Sequence, residues 1–354
     1  MAPETLPHSR ASSGDGSLLE RMLEDLPDPR EVAQQAVAER ASQVLRPAGA
    51  FERLDQVAAW LAGWQRTPEP TVERPAVLVF AADHGVAAEG VSAYPADVTA
   101  AMVAAVDSGV ATVTAVARQV GAVVRCDDVG VGMPTGNIRT HDAMSADEFD
   151  AAVNAGVLAV DRAVTEDQAD LLVLGELGIG NTTAAAALCG LLFADDAMSS
   201  DEVAARWTGP GTGVQAGALD HKRAVVRDVL DRVGSVAPLE ALRRAGGREL
   251  AAIAGAVLAA RHRSIPVILD GFIGTAAAAP LALAAPGSLD HCIAGHCSAE
   301  PGHQELLRKL GLEPLVRLDL RLGEGTGALV AVPIVQIAAA AVTDVATFAE
   351  WGLA

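Results

Sequence analysis

Aromatic residues are scarce in this chain of 354 residues: they make up 3% of the sequence, although 51% of the residues are hydrophobic. The core must therefore be built mainly from Ala, Val and Leu, whose small side chains suit close packing of helices on a sheet. A chain of this length can bury an ample core and form one large domain plus a smaller one.

Cysteines and long apolar runs are also few. The cysteines are Cys126, Cys189, Cys292 and Cys297. Four cysteines are too few for a disulfide framework in a chain of this length, which favours a reducing compartment. Residues 1–17 lack the apolar core of a signal peptide and are predicted to be a disordered lead-in. The apolar run 328–342 is shorter than the roughly 18 residues of a membrane span and contains Gln336, so we expect a cytoplasmic protein without membrane contact.

Positively charged residues are fewer than acidic ones. The net charge is −19, which argues against nucleic acid or an anionic membrane as a partner because either would repel the chain. The only lysines are Lys222 and Lys309. A phosphate-bearing substrate would therefore have to be bound by local donors rather than by the overall field.

Alternating strand and helix patterns predict an α/β fold. The predicted strands are residues 77–81, 123–127, 171–174, 265–269 and 316–322. Helical patterns around 97–120 and 145–164 separate the earlier strands. Repetition of strand, crossover helix and strand gives a Rossmann-like, mostly parallel sheet with helices on both faces.

A change of pattern at Pro68, Pro70 and Pro75 predicts a domain edge. Before it, residues 30–45 and 52–64 read as two helices outside the sheet. We expect a small helical domain of residues 18–75 together with 343–354, and a large α/β catalytic domain of residues 76–342.

Glu324 follows the last predicted strand and is bracketed by Gly323 and Gly325, after which residues 328–342 read as a buried helix despite Pro333. In open α/β sheets the carboxyl ends of strands form the ligand-binding edge. Glu324 is therefore a candidate catalytic carboxylate. The alternative is a helix-start glutamate that only stabilises the helix dipole.

A second acidic loop follows the strand 171–174. Glu176 precedes Gly178 and Gly180, and the next helix starts near Asn181 and Thr182. Free amides at a helix start can cradle a phosphate, although no lysine follows the glycines as in a Walker loop. A plain helix cap by Asn181 or Thr182 is the alternative.

Lys222 lies early in a helical pattern, after the glycine-rich loop 209–213. We interpret it as a phosphate partner, with an ordinary surface lysine as the alternative.

Histidines occur with cysteines at His291, Cys292, His296, Cys297 and His303. Their spacing does not match the usual zinc ligand patterns, so no metal is expected there. At Asp83 and His84, a structural turn in which the aspartate accepts loop amides is favoured over an acid–base pair.

Two strand-end carboxylates with phosphate-competent loops between them favour group transfer on an anionic, sugar-phosphate substrate. No G-x-S-x-G elbow is present, which disfavours a hydrolase of that type. The residues alone do not name the substrate.

Several segments together resemble the nicotinate-nucleotide:dimethylbenzimidazole phosphoribosyltransferase family, and they occur in the family's order between residues 76 and 350. The segments are 82–86, 91–95, 175–183, 209–213, 269–272, 298–300 and 321–325. The resemblance implies transfer of the ribose phosphate of nicotinate mononucleotide to 5,6-dimethylbenzimidazole. The implied products are α-ribazole 5′-phosphate and nicotinate, made by a homodimer without a redox cofactor or an obligatory metal.

The resemblance also implies residue roles. Glu324 matches the general base, which acts as the anomeric carbon inverts, and Glu176 matches a second acidic residue that stabilises positive charge. Positions around the nucleotide and its phosphate are Gly178, Gly180, Asn181, Thr182, Lys222 and Ser298. Positions around the acceptor base are Ser92, Tyr94, Ala101, Leu177 and Leu322.

The chain departs from the family pattern at Ala101, where a glutamine is usual, and at Gly295, where a serine is common. Loss of an amide from the base pocket leaves open another benzimidazole, adenine or a phenolic compound as acceptor. Water as the acceptor, or a non-catalytic nucleotide-binding regulatory protein on the same scaffold, are further alternatives.

Overall fold

A computed structural model describes residues 16–353 apart from residues 196, 212, 214 and 215. Residues 1–15 of the predicted lead-in lie outside the described residues. The strands are β1 Pro75–Ala82, β2 Val123–Gly130, β3 Leu171–Leu177, β4 Val267–Leu269, β5 Cys292–Cys297 and β6 Pro314–Arg317. The helices are α1 Leu18–Met22, α2 Glu31–Ala41, α3 Glu52–Gln65, α4 Val98–Asp107, α5 Thr112–Val120, α6 Ala146–Thr165, α7 Asn181–Leu192, α8 Ser200–Trp207, α9 Ala216–Val233, α10 Pro238–Ala245, α11 Arg248–His262, α12 Phe272–Ala284, α13 Pro301–Leu310 and α14 Thr326–Thr343.

The strands form one six-stranded sheet in the order β2-β1-β3-β4-β5-β6, and every neighbouring pair is parallel. The α/β class and the parallel sheet are therefore confirmed. Parallel strands need crossover connections, and helices supply them here, as the alternating sequence pattern predicts.

Alternate residues of the central strands enter two separate cores. In β1, Leu78 and Phe80 belong to the core beneath α6, α7, α11 and α12. Val77 and Val79 belong to the core beneath α3, α5 and α14. Because side chains alternate across a strand, both faces of the sheet are covered, which is typical of parallel sheets.

Two predicted elements are corrected. The strand expected over 316–322 ends at Arg317, because β6 is an edge strand that pairs only with β5 and the chain then leaves the sheet. Leu318 is 55% exposed, so the alternation after Val316 does not mark a buried strand face. The helix expected around 97–120 is two helices, α4 and α5, because the chain breaks at Gly109, whose φ is 72°.

Strand β5 is an addition to the strands predicted from the sequence. Its residues Cys292–Cys297 are almost all buried and pair with both β4 and β6. Two histidines and two cysteines at the ends of a short strand obscure the apolar run that normally indicates a central strand.

The helices α2 and α3 pack on each other, and α3 packs on α14. The C-terminal segment joins them: Val44 bridges Thr347, and the Arg40 guanidinium pairs with Glu350 at 3.0 Å. The short α1 lies elsewhere, against α6 and α11. The grouping of residues 18–75 with 343–354 into a separate domain stays a prediction.

Two stretches, Val98–Val120 and Thr326–Thr343, are long and apolar enough to cross a membrane by length and composition. The first is divided between α4 and α5, and the second is α14, which packs on the sheet. Core helices of globular domains meet the same criteria, so neither stretch by itself indicates a membrane span.

Candidate active site

Glu324 lies in a loop that the sheet holds tightly. Its φ is 65°, a left-handed conformation that is uncommon for a residue other than glycine, and Gly325 follows with a φ of 79°. The Glu324 N–H donates to the carbonyl oxygen of Glu176 at 3.0 Å. A Cβ atom at Gly175 would overlap the Glu324 backbone. The end of β3 therefore fixes the backbone of Glu324.

The Glu324 side chain is 1% exposed and points to the start of α5, where its Oε2 accepts the Val113 N–H at 3.2 Å. Among the described residues, Oε1 has no hydrogen-bond partner. Burial raises the pKa of Glu324 above its ordinary value of 4.5, the Val113 N–H lowers it, and Asp270 raises it. A carboxylate with one free oxygen and a raised pKa is suited to accept a proton.

Glu176, at the end of β3, is buried, and its Oε2 accepts the side-chain amide of Asn181. Burial raises the pKa of Glu176 well above 4.5, the carboxylates of Asp270 and Glu249 raise it further, and Asn181 lowers it. The carboxyl group is therefore biased towards its neutral form. Asn181 does not cap α7, since the N-cap residue is Gly180 and no side-chain cap bond forms there.

The loop with Gly178 and Gly180 lies on a buried pair of side chains, His84 and Glu249, that the sequence did not indicate. His84 Nε2 and Glu249 Oε1 are 2.5 Å apart, and both side chains are fully buried. A Cβ at Gly178 would press on both groups, and Gly180, with a φ of 100°, lies against His84. Glycine is thus required where this loop crosses the pair. Asp83 Oδ2 accepts the Gly132 N–H at 2.8 Å, which confirms its structural role in a turn.

Lys222, on α9, is fully buried although it carries an ammonium group. Its Nζ donates to Thr182 Oγ1 at 2.8 Å and to the Gly209 carbonyl at 3.0 Å. Burial lowers the pKa of Lys222 to about 8, against the opposing effect of Glu300. The alternative of a surface lysine is wrong. Part of the glycine-rich loop 209–213, Thr212, lies outside the described residues.

Ser298, at the end of β5, faces His303. The Ser298 N–H donates to His303 Nδ1 at 2.9 Å, and Thr275 Oγ1 is 3.1 Å from Nε2. Burial lowers the pKa of His303 to about 3, with smaller contributions from His296 and Arg317. The ring is therefore neutral, with its proton on Nε2, and it orients Ser298.

A cleft with about 390 Å³ of empty space, part of it open to solvent, runs along the carboxyl ends of the strands. Its polar lining comprises three carboxylates, two hydroxyls and one guanidinium: Glu176, Asp270, Glu300, Thr182, Ser298 and Arg321. Leu322 also lines it. Glu324 is not part of the lining, because its carboxyl group turns from the neighbouring Gly323 towards α5.

The positions expected around the acceptor base lie nearer α4. Ser92 Oγ accepts the Tyr94 N–H at 3.2 Å, and Tyr94 and Ala101 are exposed. Leu177 is half-buried at the end of β3. The Ile179 N–H donates to Thr99 Oγ1 at 3.3 Å, which holds α4 beside the glycine loop. Leu322 instead lines the cleft together with Thr182 and Ser298 of the expected nucleotide site.

Asp270 and Glu300 lie in the family-like segments 269–272 and 298–300, but the sequence predicts no role for either. Asp270 Oδ1 accepts the Ala328 N–H at 2.8 Å and is 3.4 Å from His296 Nε2. Asp270 thereby ties the end of β4 to the first turn of α14. In the sequence, Asp270 could have been recognised as a candidate site residue because it precedes a glycine at the end of a predicted strand. For Glu249, inside α11, no sequence signal exists.

Near β5 and α13, His291 and His303 form hydrogen bonds, whereas neither ring nitrogen of His296 has a hydrogen-bond partner among the described residues. His291 Nε2 is 2.8 Å from the Val257 carbonyl, and burial lowers the pKa of His291 to about 3. Over the described part of the chain, no group of three or more His, Cys, Asp or Glu side chains could hold a metal ion.

Comparison with known proteins bears on the family of this chain. A phosphoribosyltransferase family model matches residues 26–353. The nicotinate-nucleotide–dimethylbenzimidazole phosphoribosyltransferase of Cereibacter sphaeroides is 48% identical over 335 residues, which are 94% of this chain and 96% of the relative. The enzyme of the same name from Novosphingobium aromaticivorans is 47% identical over 337 residues, 95% of this chain and 96% of the relative.

The chain belongs to the nicotinate-nucleotide–dimethylbenzimidazole phosphoribosyltransferase family. A crystal structure of CobT from Thermus thermophilus superposes with a TM-score of 0.85 at 41% identity, covering 91% of this chain and 99% of that structure. The family resemblance stated from the motifs is confirmed, and the protein is an enzyme of the phosphoribosyltransferase class.

Proposed function

We propose that this enzyme transfers the phosphoribosyl group of nicotinate mononucleotide to 5,6-dimethylbenzimidazole, with Glu324 as general base. One observation carries the proposal: two buried glutamates, Glu176 at the end of β3 and Glu324 in the loop before α14, are joined through their backbones beside a cleft. The names of the relatives support the two substrates.

In the proposed reaction, one azole nitrogen of the acceptor attacks the anomeric carbon of the ribose. The bond between that carbon and the pyridinium nitrogen breaks, and the bonding electron pair goes to the nitrogen of the departing nicotinate. The proton on the other azole nitrogen goes to Glu324, whose Oε1 is free among the described residues. The products are α-ribazole 5′-phosphate and nicotinate.

Inversion at the anomeric carbon needs the acceptor and the leaving group on opposite sides of the ribose. The Glu324 carboxyl group accepts the Val113 N–H at the start of α5, whereas Glu176, Thr182 and Ser298 line the cleft. This division supports an acceptor site near α4 and α5 and a nucleotide site in the cleft.

Glu176 has a different proposed role. Its raised pKa favours a neutral carboxyl group in the free enzyme. The pyridinium ring of bound nicotinate mononucleotide is cationic, and a nearby cation favours the ionised carboxylate. Glu176 would thus ionise when the substrate binds and stabilise the positive charge that develops on the ribose.

The phosphate is assigned to the group formed by Gly178, Gly180, Asn181, Thr182, Lys222 and Ser298. In support, the first turn of α7 begins at Asn181, directly after the glycine loop, and the Lys222 ammonium lies at the wall formed by Thr182 and Gly211. Local donors of this kind offset the net charge of −19.

The acceptor is assigned to Ser92, Tyr94, Ala101, Leu177 and Leu322. A flat aromatic acceptor needs apolar contact area, which Leu177 and Leu322 supply in part. Ala101 has no side-chain amide that could hydrogen-bond to the acceptor. The preferred base is therefore to be identified by offering several bases to the enzyme in competition.

The enzyme is further proposed to be cytoplasmic and to form a homodimer. Its small helical domain is proposed to comprise residues 18–75 and 343–354, as predicted from the sequence. The outer surface of α4 and its following turn supports the dimer, because Ala101 and Ala104 are exposed and Val110 is 77% exposed. Light scattering on the purified full chain tests the oligomeric state.

The deciding experiment mixes the purified enzyme with nicotinate mononucleotide, with and without dimethylbenzimidazole, and measures nicotinate release and product mass. Release that depends on the acceptor, with formation of a ribazole phosphate, supports transfer. Equal release in both mixtures would identify a hydrolase. A second arm offers dimethylbenzimidazole, benzimidazole, adenine and a phenol together and identifies the products.

A further inference from the structure

Arg321 is the one cation among the described residues that line the cleft. It lies between β6 and α14, three residues before Glu324, and its side chain is exposed. No ion pair within 4.0 Å joins it to an acidic side chain of the described chain. Most arginines here do form such pairs, as Arg125 does with Asp167 at 2.6 Å.

The surroundings of Arg321 are acidic. Glu176, Asp270 and Glu300 line the same cleft. Burial raises the pKa of Glu300, while Lys222 and, more weakly, Arg321 lower it. A substrate anion entering this cleft meets three carboxyl groups, and the one cation of the lining that could attract it is Arg321.

Nicotinate mononucleotide has two anionic groups, its phosphate and the carboxylate of its pyridine ring. Lys222 is buried against Thr182 and Gly209, on the side assigned to the phosphate. Arg321 is the remaining cation of the cleft, and its guanidinium has the planar, two-donor geometry that a carboxylate prefers.

We propose that Arg321 determines specificity for the acid over the amide, by binding the carboxylate of the nicotinate ring. This inference rests on the proposed function. Nicotinamide mononucleotide differs from the substrate only at this group, where an uncharged amide replaces the carboxylate. The carboxylate keeps its charge after the glycosidic bond breaks, so Arg321 also binds the product nicotinate.

The test compares nicotinate and nicotinamide mononucleotides as donors for the wild-type enzyme, Arg321→Gln and Arg321→Lys. Arg317→Gln is the matched control, because Arg317 is an exposed arginine of the same segment that does not line the cleft. Arg321→Gln should lower kcat/KM for the acid at least about tenfold and change that for the amide less than about threefold. Arg321→Lys should retain part of the preference, and Arg317→Gln all of it.

If Arg321→Gln lowers kcat/KM equally for both donors, as a lost phosphate contact or a folding defect would, the assignment is overturned. An unchanged ratio of the kcat/KM values for the acid and the amide also overturns it. Calorimetric titration of both nucleotides and of nicotinate, without acceptor, tests the role of Arg321 in binding separately from the proposed transfer reaction. If the wild-type enzyme makes no ribazole phosphate but Arg321→Gln weakens binding of the acid alone, the proposed reaction fails and Arg321 stands. Wild-type protein that binds neither nucleotide overturns both.

Discussion

The N–H of Glu324 donates to the carbonyl oxygen of Glu176 at 3.0 Å, so the two candidate catalytic glutamates are joined through the main chain. Their side chains diverge from this junction: Glu324 faces Val113 at the start of α5, and Glu176 faces Asn181 and the cleft. One rigid junction can therefore hold the proposed base on the acceptor side and the proposed charge-stabilising glutamate on the nucleotide side.

Replacement of Glu324 by Gln should lower kcat at least about a hundredfold, because an amide cannot accept the azole proton. The Kd for nicotinate mononucleotide, measured by calorimetry, should change little, since the side chain does not line the cleft. Glu313→Gln is the control, as Glu313 is exposed, with only a 3.5 Å surface pair to Arg53. Unchanged turnover of Glu324→Gln would refute the role of general base.

The pH dependence of kcat/KM should follow the ionisation of Glu324. A base must be deprotonated to act, and the raised pKa keeps Glu324 protonated to higher pH than an ordinary glutamate. Activity should therefore be lost as the pH falls through an apparent pKa above 4.5, measured in initial-rate profiles. An acid limb at or below that value would contradict the assignment.

Lys222→Ala should raise the KM for nicotinate mononucleotide more than the KM for the acceptor, because the ammonium lies beside Thr182 at the proposed phosphate site. The only other lysine, Lys309, is exposed on α13 and provides the control variant Lys309→Ala. Steady-state kinetics with each substrate varied in turn measure the effect. Equal changes in both KM values would remove Lys222 from the phosphate site.

The KM for nicotinate mononucleotide should depend on whether Lys222 is protonated. Because burial lowers the pKa of Lys222 to about 8, the free enzyme loses this positive charge as the pH rises through that value. The KM for nicotinate mononucleotide should rise above about pH 8 in the wild-type enzyme. In Lys222→Ala this rise should disappear, whereas a persisting rise would assign it to another group.

Gly175→Ala should destabilise the protein by about 1–3 kcal/mol, because the new methyl group would overlap the Glu324 backbone and nothing flexible can yield. It should also lower kcat by displacing the base. Gly217→Ala, at an exposed helical position with open space around it, should be neutral or slightly stabilising. Urea unfolding measures both, and equal stabilities of the two variants would contradict the close approach at Gly175.

Much of the fold was predictable because local patterns agree with it. The apolar run at 77–81 became β1, and the helical pattern at 145–164 became α6, whose N-cap Ser145 forms a capping box with Glu148. The errors lie where local patterns mislead. Alternation continues past Arg317 although the edge strand has ended, and His and Cys residues obscure β5.

The sequence by itself determined the α/β class, the family and the two glutamates at strand ends, because hydrophobic periodicity and ordered glycine motifs are properties of short segments. The tertiary structure alone decided that Glu324 and Glu176 share a backbone hydrogen bond, that Glu249 pairs with His84, and that Arg321 enters the cleft. These contacts join residues far apart in the chain, so they depend on how parallel strands bring their carboxyl ends to one edge.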